Sequence, residues 1–248
     1  MTNTITSGLD ALEILNNEGN KEAVKRNEHT YLKGGTSKVV KVLSTADVAM
    51  KRVYSAYGHF KTFTPKNLPE VDGNGNVISN HTPFDLAYKH HKSKSEDWQD
   101  EESAKAYRYK LLPKFTIGVI DLDTGEPIMM EFSQKQTQAI MAVLNKNERK
   151  LDKKAFEIEK DPKGVMIVSP LDLDDLTEKQ LTNFEQAPKE FDKSNFEGLY
   201  YERDEEAMIE LLEEIGFDVS LIGLTPKQGG DTAEESPFKG AEDPTEQF

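Results

Sequence analysis

Residues 114–132, KFTIGVIDLDTGEPIMMEF, run directly into SQKQTQAIMAVL (133–144), and this junction decides the fold class. Two apolar runs rich in Ile, Val, Phe and Met flank the turn sequence DTGE with its Gly125, the pattern of a β-hairpin. Ser133 and Gln136 then stand at capping-box spacing, and Ile140, Val143, Leu144 and Leu151 recur on one helical side. A hairpin that passes straight into an amphipathic helix predicts strands and helices around a shared core.

Upstream, YLKGGTSKVVKVLS (31–44) alternates beyond a Gly34-Gly35 turn, with Val40 and Val42 on one face and Lys41 on the other. KRVYSAYGHFKTF (51–63), broken by Pro65, favours a strand or hairpin, and DGNGNVISNHTP (72–83) is dense enough in turn residues for a loop or hairpin tip. In the polar stretch that follows, Asp100 or Ser103 opens a helix, or the run leads straight into the next strand. Downstream, GVMIVSPL (164–171) reads as a strand, Thr177 and Gln180 cap a helix, and EEAMIELLEEIGF (205–217) is a helix ended by Gly216. The expected fold class is α+β, mainly β, with an oligonucleotide-binding (OB-fold) barrel among the candidates.

The chain divides into an N-terminal arm (1–30) carrying the short amphipathic run LDALEIL (9–15), a core (31–222) and an acidic tail (223–248). Residues 225–248 contain six acids, two lysines and three prolines and little to pack, a composition that predicts disorder. With no cysteine, disulfides and thiolate zinc sites are excluded, which fits a reducing compartment. The first residues lack a basic region followed by an apolar run, and no stretch approaches about 18 consecutive apolar residues. A soluble, cytoplasmic protein is the expectation.

A formal net charge of -14 argues against a phosphate-rich partner until it is located along the chain. Residues 1–150 hold 21 Lys and Arg against 19 Asp and Glu, whereas residues 151–248 hold 10 against 26. Within residues 31–94 the balance is 10 basic to 4 acidic. Here lies VYSAYGHFKTFTPKN (53–67), which gathers Tyr54, Tyr57, Phe60 and Phe63 with Lys61 and Lys66, just after Lys51 and Arg52. Bases stack on exposed rings while cations follow the phosphates, each stacked base being worth roughly 1–3 kcal/mol. Strand alternation sends Tyr54 and Tyr57 to opposite sheet faces, and Phe60 and Phe63 likewise unless a bulge at Gly58 resets the register. About half of these rings therefore belong to the core.

A second cluster, AYRYKLLPKF (106–115), places Arg108 and Lys110 on one face of an extended chain and Tyr107 and Tyr109 on the other, with Lys114 and Phe115 following. Other chemistry is poorly served. GGTSK (34–38) has the letters of a phosphate loop in the wrong order, and it reads as a turn. Asp121 and Asp123 border a glycine turn, but Phe132 stands where a calcium loop would close with glutamate. His81, His90 and His91 lack the spacing of a zinc site, and no serine, histidine and carboxylate set recommends a hydrolase. No metal, cofactor or catalytic residue is expected.

In order, the strand KVVKVLS, the stretch VYSAYGHF, the Pro-Phe segment HTPFDLAYKHHKS, the run YRYKLLPKFTIGVIDLDTGEPIMMEF, the helix QKQTQAIMAVL and the acidic C-terminus form a pattern. It resembles the replicative single-stranded DNA-binding (helix-destabilising) proteins of T-even-type bacteriophages, over roughly residues 30–220 and best between Tyr107 and Leu144. The resemblance implies an oligonucleotide-binding barrel that coats unpaired DNA during phage replication, recombination and repair in the bacterial cytoplasm. It further implies that an N-terminal arm contacts neighbours on the strand and that an acidic tail recruits replication and recombination proteins. Carried over by position, Arg108, Tyr109 and Lys110 line the basic wall of the cleft, followed by Lys114 and Phe115, and the Pro-Phe segment brings Tyr88 and Lys89 into the set. The family's zinc subdomain uses cysteines and histidine, whereas HTPFDLAYKHH (81–91) has no cysteine, so packing must hold this insertion. The family's basic N-terminal cluster is also missing from MTNTITSGLDALEIL (1–15). The alternative readings are an acidic adaptor or decoy that binds a host or replisome protein, and a single-strand annealing recombinase.

Overall fold

The computed structural model describes residues 27–226; the expected helix at 9–15, most of the arm and nearly all of the acidic tail lie outside them. In chain order the strands are β1 (Thr36–Lys41), β2 (Val48–Ala56), β3 (Phe60–Pro65), β4 (Glu70–Val71), β5 (Val77–Ser79), β6 (Leu111–Asp121), β7 (Pro127–Ser133), β8 (Lys154–Lys160), β9 (Met166–Asp172) and β10 (Tyr201–Arg203). The α-helices are α1 (Pro83–Lys94), α2 (Glu101–Arg108), α3 (Gln134–Lys146), α4 (Glu178–Gln186) and α5 (Glu205–Glu214). Helix and strand contribute about equally, so the fold is mixed rather than mainly β.

Eight strands form one open mixed sheet in the order β10-β3-β2-β6-β1-β8-β9, with β7 on the remaining edge of β6; β4 and β5 form a separate small ribbon. The β3–β10 pair is parallel and the other named pairs are antiparallel. β6 organises the sheet. One of its edges pairs with β7 from Lys114 to Ile120, and the other pairs first with β2 and then, at Ile120 and Asp121, with β1. Beyond that shared line β2 turns to β3 and β1 turns to β8, so the sheet divides into two halves.

Register fixes which residues share a face, because directly opposed residues of antiparallel strands point the same way. One face carries the rows Val48–Ile117–Met130, Met50–Phe115–Phe132, Arg52–Pro113 and Tyr54–Leu111. Helix α3 covers one end of it, where Ile140 and Leu144 join Ile117, Val119, Met130 and Phe132 in a core. Helices α1 and α5 cover the other end, over Tyr54, Phe63 and Leu111. The opposite face is covered by the segment around Phe191, whose ring lies so close to Gly118 that a Cβ there would sit 2.5 Å from it. Only glycine allows that approach. Helix α4 packs Phe184 against Leu122 and Ala155.

The helix starts follow their caps. Ser133 and Gln136, and Thr177 and Gln180, form the expected capping boxes, and Asp100, rather than Ser103, caps α2 by accepting the Ser103 amide at 2.6 Å. Three amides of the α1–α2 connection and α2 start bond to the Asp100 carboxylate, holding its pKa down at about 2. Lys41, expected in solvent, instead donates to the Phe184 carbonyl at 2.8 Å and lies over that ring, and burial lowers its pKa. Strand β8 was not marked by the sequence pattern, and Leu151 reaches the core from beyond the end of α3. None of the helices among the described residues is long and apolar enough to cross a membrane.

The Pro-Phe segment read as an insertion loop is α1. Pro83 occupies its first turn, and Thr82 and Asp85 close a capping box. Phe84 is fully buried and meets Tyr54, Phe60, Phe63 and Tyr109 at centroid distances between 5.0 and 5.9 Å. Packing thus holds the cysteine-free segment. Replacing Phe84 with Ala removes the hub of this cluster, and we expect a loss of about 3–5 kcal/mol in urea unfolding monitored by circular dichroism.

Candidate nucleic-acid interface

The aromatic cluster sorts the candidate rings. Tyr54 and Phe63 are fully buried, opposed across the β2–β3 pair, and Tyr109 is buried between Phe84 and Phe217. These three rings offer no face to a ligand. Tyr54 is tied further: Thr82 Oγ1 gives its one proton to Asp85 Oδ2 at 3.0 Å, so the Tyr54 hydroxyl donates to Thr82 Oγ1 at 2.7 Å. Burial, reinforced by the Asp85 charge, raises the Tyr54 pKa and keeps it a neutral phenol.

Phe60 and Phe63 do not alternate. The pairs Tyr54–Phe63 and Ala56–Phe60 leave two β3 residues, Lys61 and Thr62, opposite the single Ser55. This bulge turns Phe60 back onto the same cluster as Phe63, with centroids 5.9 Å apart. The register is reset as a bulge at Gly58 would have done, but that glycine sits in the hairpin turn and the bulge falls at Lys61 and Thr62. Tyr57, 54% exposed, remains at the turn, and Lys61 and Lys66 are exposed on β3 and just beyond it.

The second cluster is not extended as expected. Tyr107 and Arg108 end α2, Tyr109 is its C-cap, and the strand begins only at Leu111. Helical spacing therefore separates Tyr107, 59% exposed, from buried Tyr109, instead of aligning them. Helix α2 packs against β2, and Lys110 just beyond it leads into Leu111, the partner of Tyr54 two residues before the end of β2. Lys110, Tyr88 and Lys89 come together at a cleft between α1 and the β4–β5 ribbon.

The remaining candidates are split by the sheet. Arg52 and Phe115 share one face with Met50, which is 45% exposed, in the gap between the α3-covered and α1-covered ends. Lys51 and Lys114 oppose each other on the other face, so Phe115 and Lys114 do not continue one wall. Lys114 donates to Glu131 Oε1 at 3.0 Å, and Tyr200 donates to Glu131 Oε2 at 2.6 Å. Burial and the Glu131 charge raise the Tyr200 pKa. His29, assigned to the arm by sequence, is seated beside them: its Nε2 is 3.1 Å from Thr116 Oγ1 and its ring 4.7 Å from that of Tyr200. The preceding Asn27 bonds the Ser194 and Glu197 carbonyls, and Thr30 bonds Met129. At the other end of the core Leu224 packs on the aromatic cluster, two residues past the expected boundary.

Several acids near the β2–β3–α1–α2 surface are engaged internally, although Glu96, Asp97, Glu202, Glu205 and Glu214 stand exposed in the same half. Asp85 and Asp100 cap helices, Asp72 holds the ribbon turn, Glu70 bonds Ser79, Glu101 pairs with Lys105, and Glu102 pairs with His91 and Lys105. In contrast, Arg52, Lys61, Lys66, Arg108 and Lys110 make no ion pair with the described residues. The exposed Met50 escaped notice in the sequence because its partner Phe115 lies 65 positions away. Asp121 and Asp123 are likewise committed to protein partners, Lys38 Nζ at 2.6 Å and Gln180 Nε2 at 2.8 Å.

No protein-family model, curated protein or solved structure matches the chain.

His29 supplies a pH test of its seat. Burial lowers its pKa below the ordinary 6.5, with Glu131 opposing and Lys114 assisting. Between the two pKa values the unfolded chain binds the proton and the folded chain does not, so this contribution is complete above about pH 6.5 and is lost as pH falls through the folded value. Melting temperature should drop more between pH 7.5 and 5.5 in the native chain than in His29→Gln, and equal drops would remove His29 from the account.

Proposed function

We propose that this protein binds unpaired DNA without sequence specificity, coating it through the β2–β3–α1–α2 part of the molecule. The observation that carries this reading is that Arg52, Lys61, Lys66, Arg108 and Lys110 are left without carboxylate partners among the described residues, on or next to the elements that carry exposed Tyr57 and Tyr107. Several neighbouring acids serve as caps and turn-makers, and the unpaired cations can reach phosphates while the rings offer π-faces to bases. The oligonucleotide-binding interpretation of the fold belongs to the same proposal, since such sheets are found partly open. So does the role implied by the resemblance to helix-destabilising phage proteins, a non-catalytic coat over single strands in replication, recombination and repair. Recruitment of replication proteins by the acidic C-terminal sequence and self-association along DNA complete that role.

Titration of fluorescent oligo-dT and of a matched duplex at several salt concentrations tests the reading. With five cations on phosphates, the slope of log K against log salt should be about −3.5, taking about 0.7 per phosphate on a single strand. The double variant Arg108→Gln, Lys110→Gln should flatten the slope by about 1.4. Equal affinity for the duplex, or a salt-independent isotherm, would contradict the proposal.

A further inference from the structure

Between β2, β3, β10 and the segment 196–200 lies a cavity of about 250 Å³. A site of about 150 Å³ already admits benzene, so a molecule of amino-acid size fits here. Register places its charged walls on one face of the sheet. Tyr54 and Phe63 oppose each other in the aromatic cluster, so Lys51, three residues before Tyr54, and Thr64, one after Phe63, face the other way. Glu202 is the parallel partner of Thr64 and shares its side.

The hydroxyls of this cavity are already committed. Thr64 Oγ1 gives its proton to the Arg52 carbonyl at 3.0 Å, and Tyr200 gives its proton to Glu131 Oε2 at 2.6 Å. Toward a ligand both oxygens can only accept. Glu131 is engaged a second time by Lys114 at 3.0 Å. Lys51, which stands opposite Lys114, and Glu202 both line the cavity, yet neither makes an ion pair with a described residue. Both are exposed, which leaves the mouth open to solvent, and Phe196 and Leu199 supply an apolar wall.

These walls select by charge. A phosphate would meet Lys51 but also the like charge of Glu202, and a divalent metal ion would find a single carboxylate beside an ammonium. A ligand carrying both signs satisfies each wall: its carboxylate accepts from Lys51, and its ammonium donates to Glu202 and the Thr64 hydroxyl. We infer that this cavity binds a free amino acid in its zwitterionic form, with an apolar side chain against Phe196 and Leu199. This goes beyond the DNA reading and stands without it, because none of the five cations assigned to phosphates lines the cavity.

The full chain is titrated with L-leucine, L-methionine and L-valine by isothermal calorimetry. The tightest of them is then compared with its amide, which lacks the carboxylate, and with its N-acetyl derivative, which lacks the ammonium. Saturable binding of the amino acid, weakened about tenfold or more in each derivative, is the expected result. Lys51→Gln and Glu202→Gln should each weaken it by about the same factor, with the melting temperature of the ligand-free chain unchanged. No binding of any of the three, equal binding of both derivatives, or native affinity in both variants would overturn the site. Binding of inorganic phosphate alone would overturn it in favour of an anion site. Oligo-dT affinity measured on the same samples reports on the DNA reading separately.

Discussion

Strand β6 is hydrogen-bonded along both edges, and the rest of the fold hangs from that double ladder. Because β2 and β1 follow one another along a single edge, the chain must bend between them, and the bend parts the sheet into its two halves. Because β7 occupies the other edge, the helix that follows it, α3, has to fold back across the sheet and close the first core. The far end of β6, at Leu111, is left to the aromatic cluster under α1. A strand that feeds two cores at once couples the stability of one half to the placement of the other.

This coupling governs what the aromatic-rich stretch can do. An aromatic pair adds about 0.5–1.5 kcal/mol beyond its buried area, and Phe84 makes four such contacts. Rings that a single-stranded DNA groove would use for stacking are here spent on anchoring α1 to the sheet. What remains at the surface is the polar complement of that cluster: the hairpin turn with Tyr57, the end of α2 with Tyr107 and Arg108, and the cations that flank them. Part of the acidity near these cations is taken up by caps and turns, while α5 keeps exposed glutamates in the same half.

Local patterns were legible in the sequence. The 114–144 hairpin and helix, the capped starts of α3 and α4 and the glycine end of α5 all rest on signals within a few residues of one another. Strand alternation foretold that about half of the 53–63 rings would be core, whereas three of the four, Tyr54, Phe60 and Phe63, join the aromatic cluster. The face of each ring was harder to read, because it depends on a bulge at Lys61 and Thr62 that no local residue type announces. Helix α2 was one of two readings of its segment, since Asp100 and Ser103 both offer caps and the apolar pattern is thin. Helix α1 was hidden in a polar segment whose one decisive feature, Phe84, gains its meaning from partners 21 to 30 positions upstream and 25 downstream. The separation of Lys114 from Phe115 is simple alternation, and it was obscured by carrying a wall over from the resemblance.

The central claim is that unpaired DNA lies on the β2–β3–α1–α2 half of the sheet. Amide chemical-shift mapping of the isotope-labelled chain, titrated with oligo-dT, tests it most directly. The account predicts progressive shifts at Arg52, Tyr57, Lys61, Lys66, Lys89, Arg108 and Lys110, with α4 and the β8–β9 pair unmoved. Shifts confined to β8, β9 and α4, or an unchanged spectrum at saturating oligonucleotide, would contradict it.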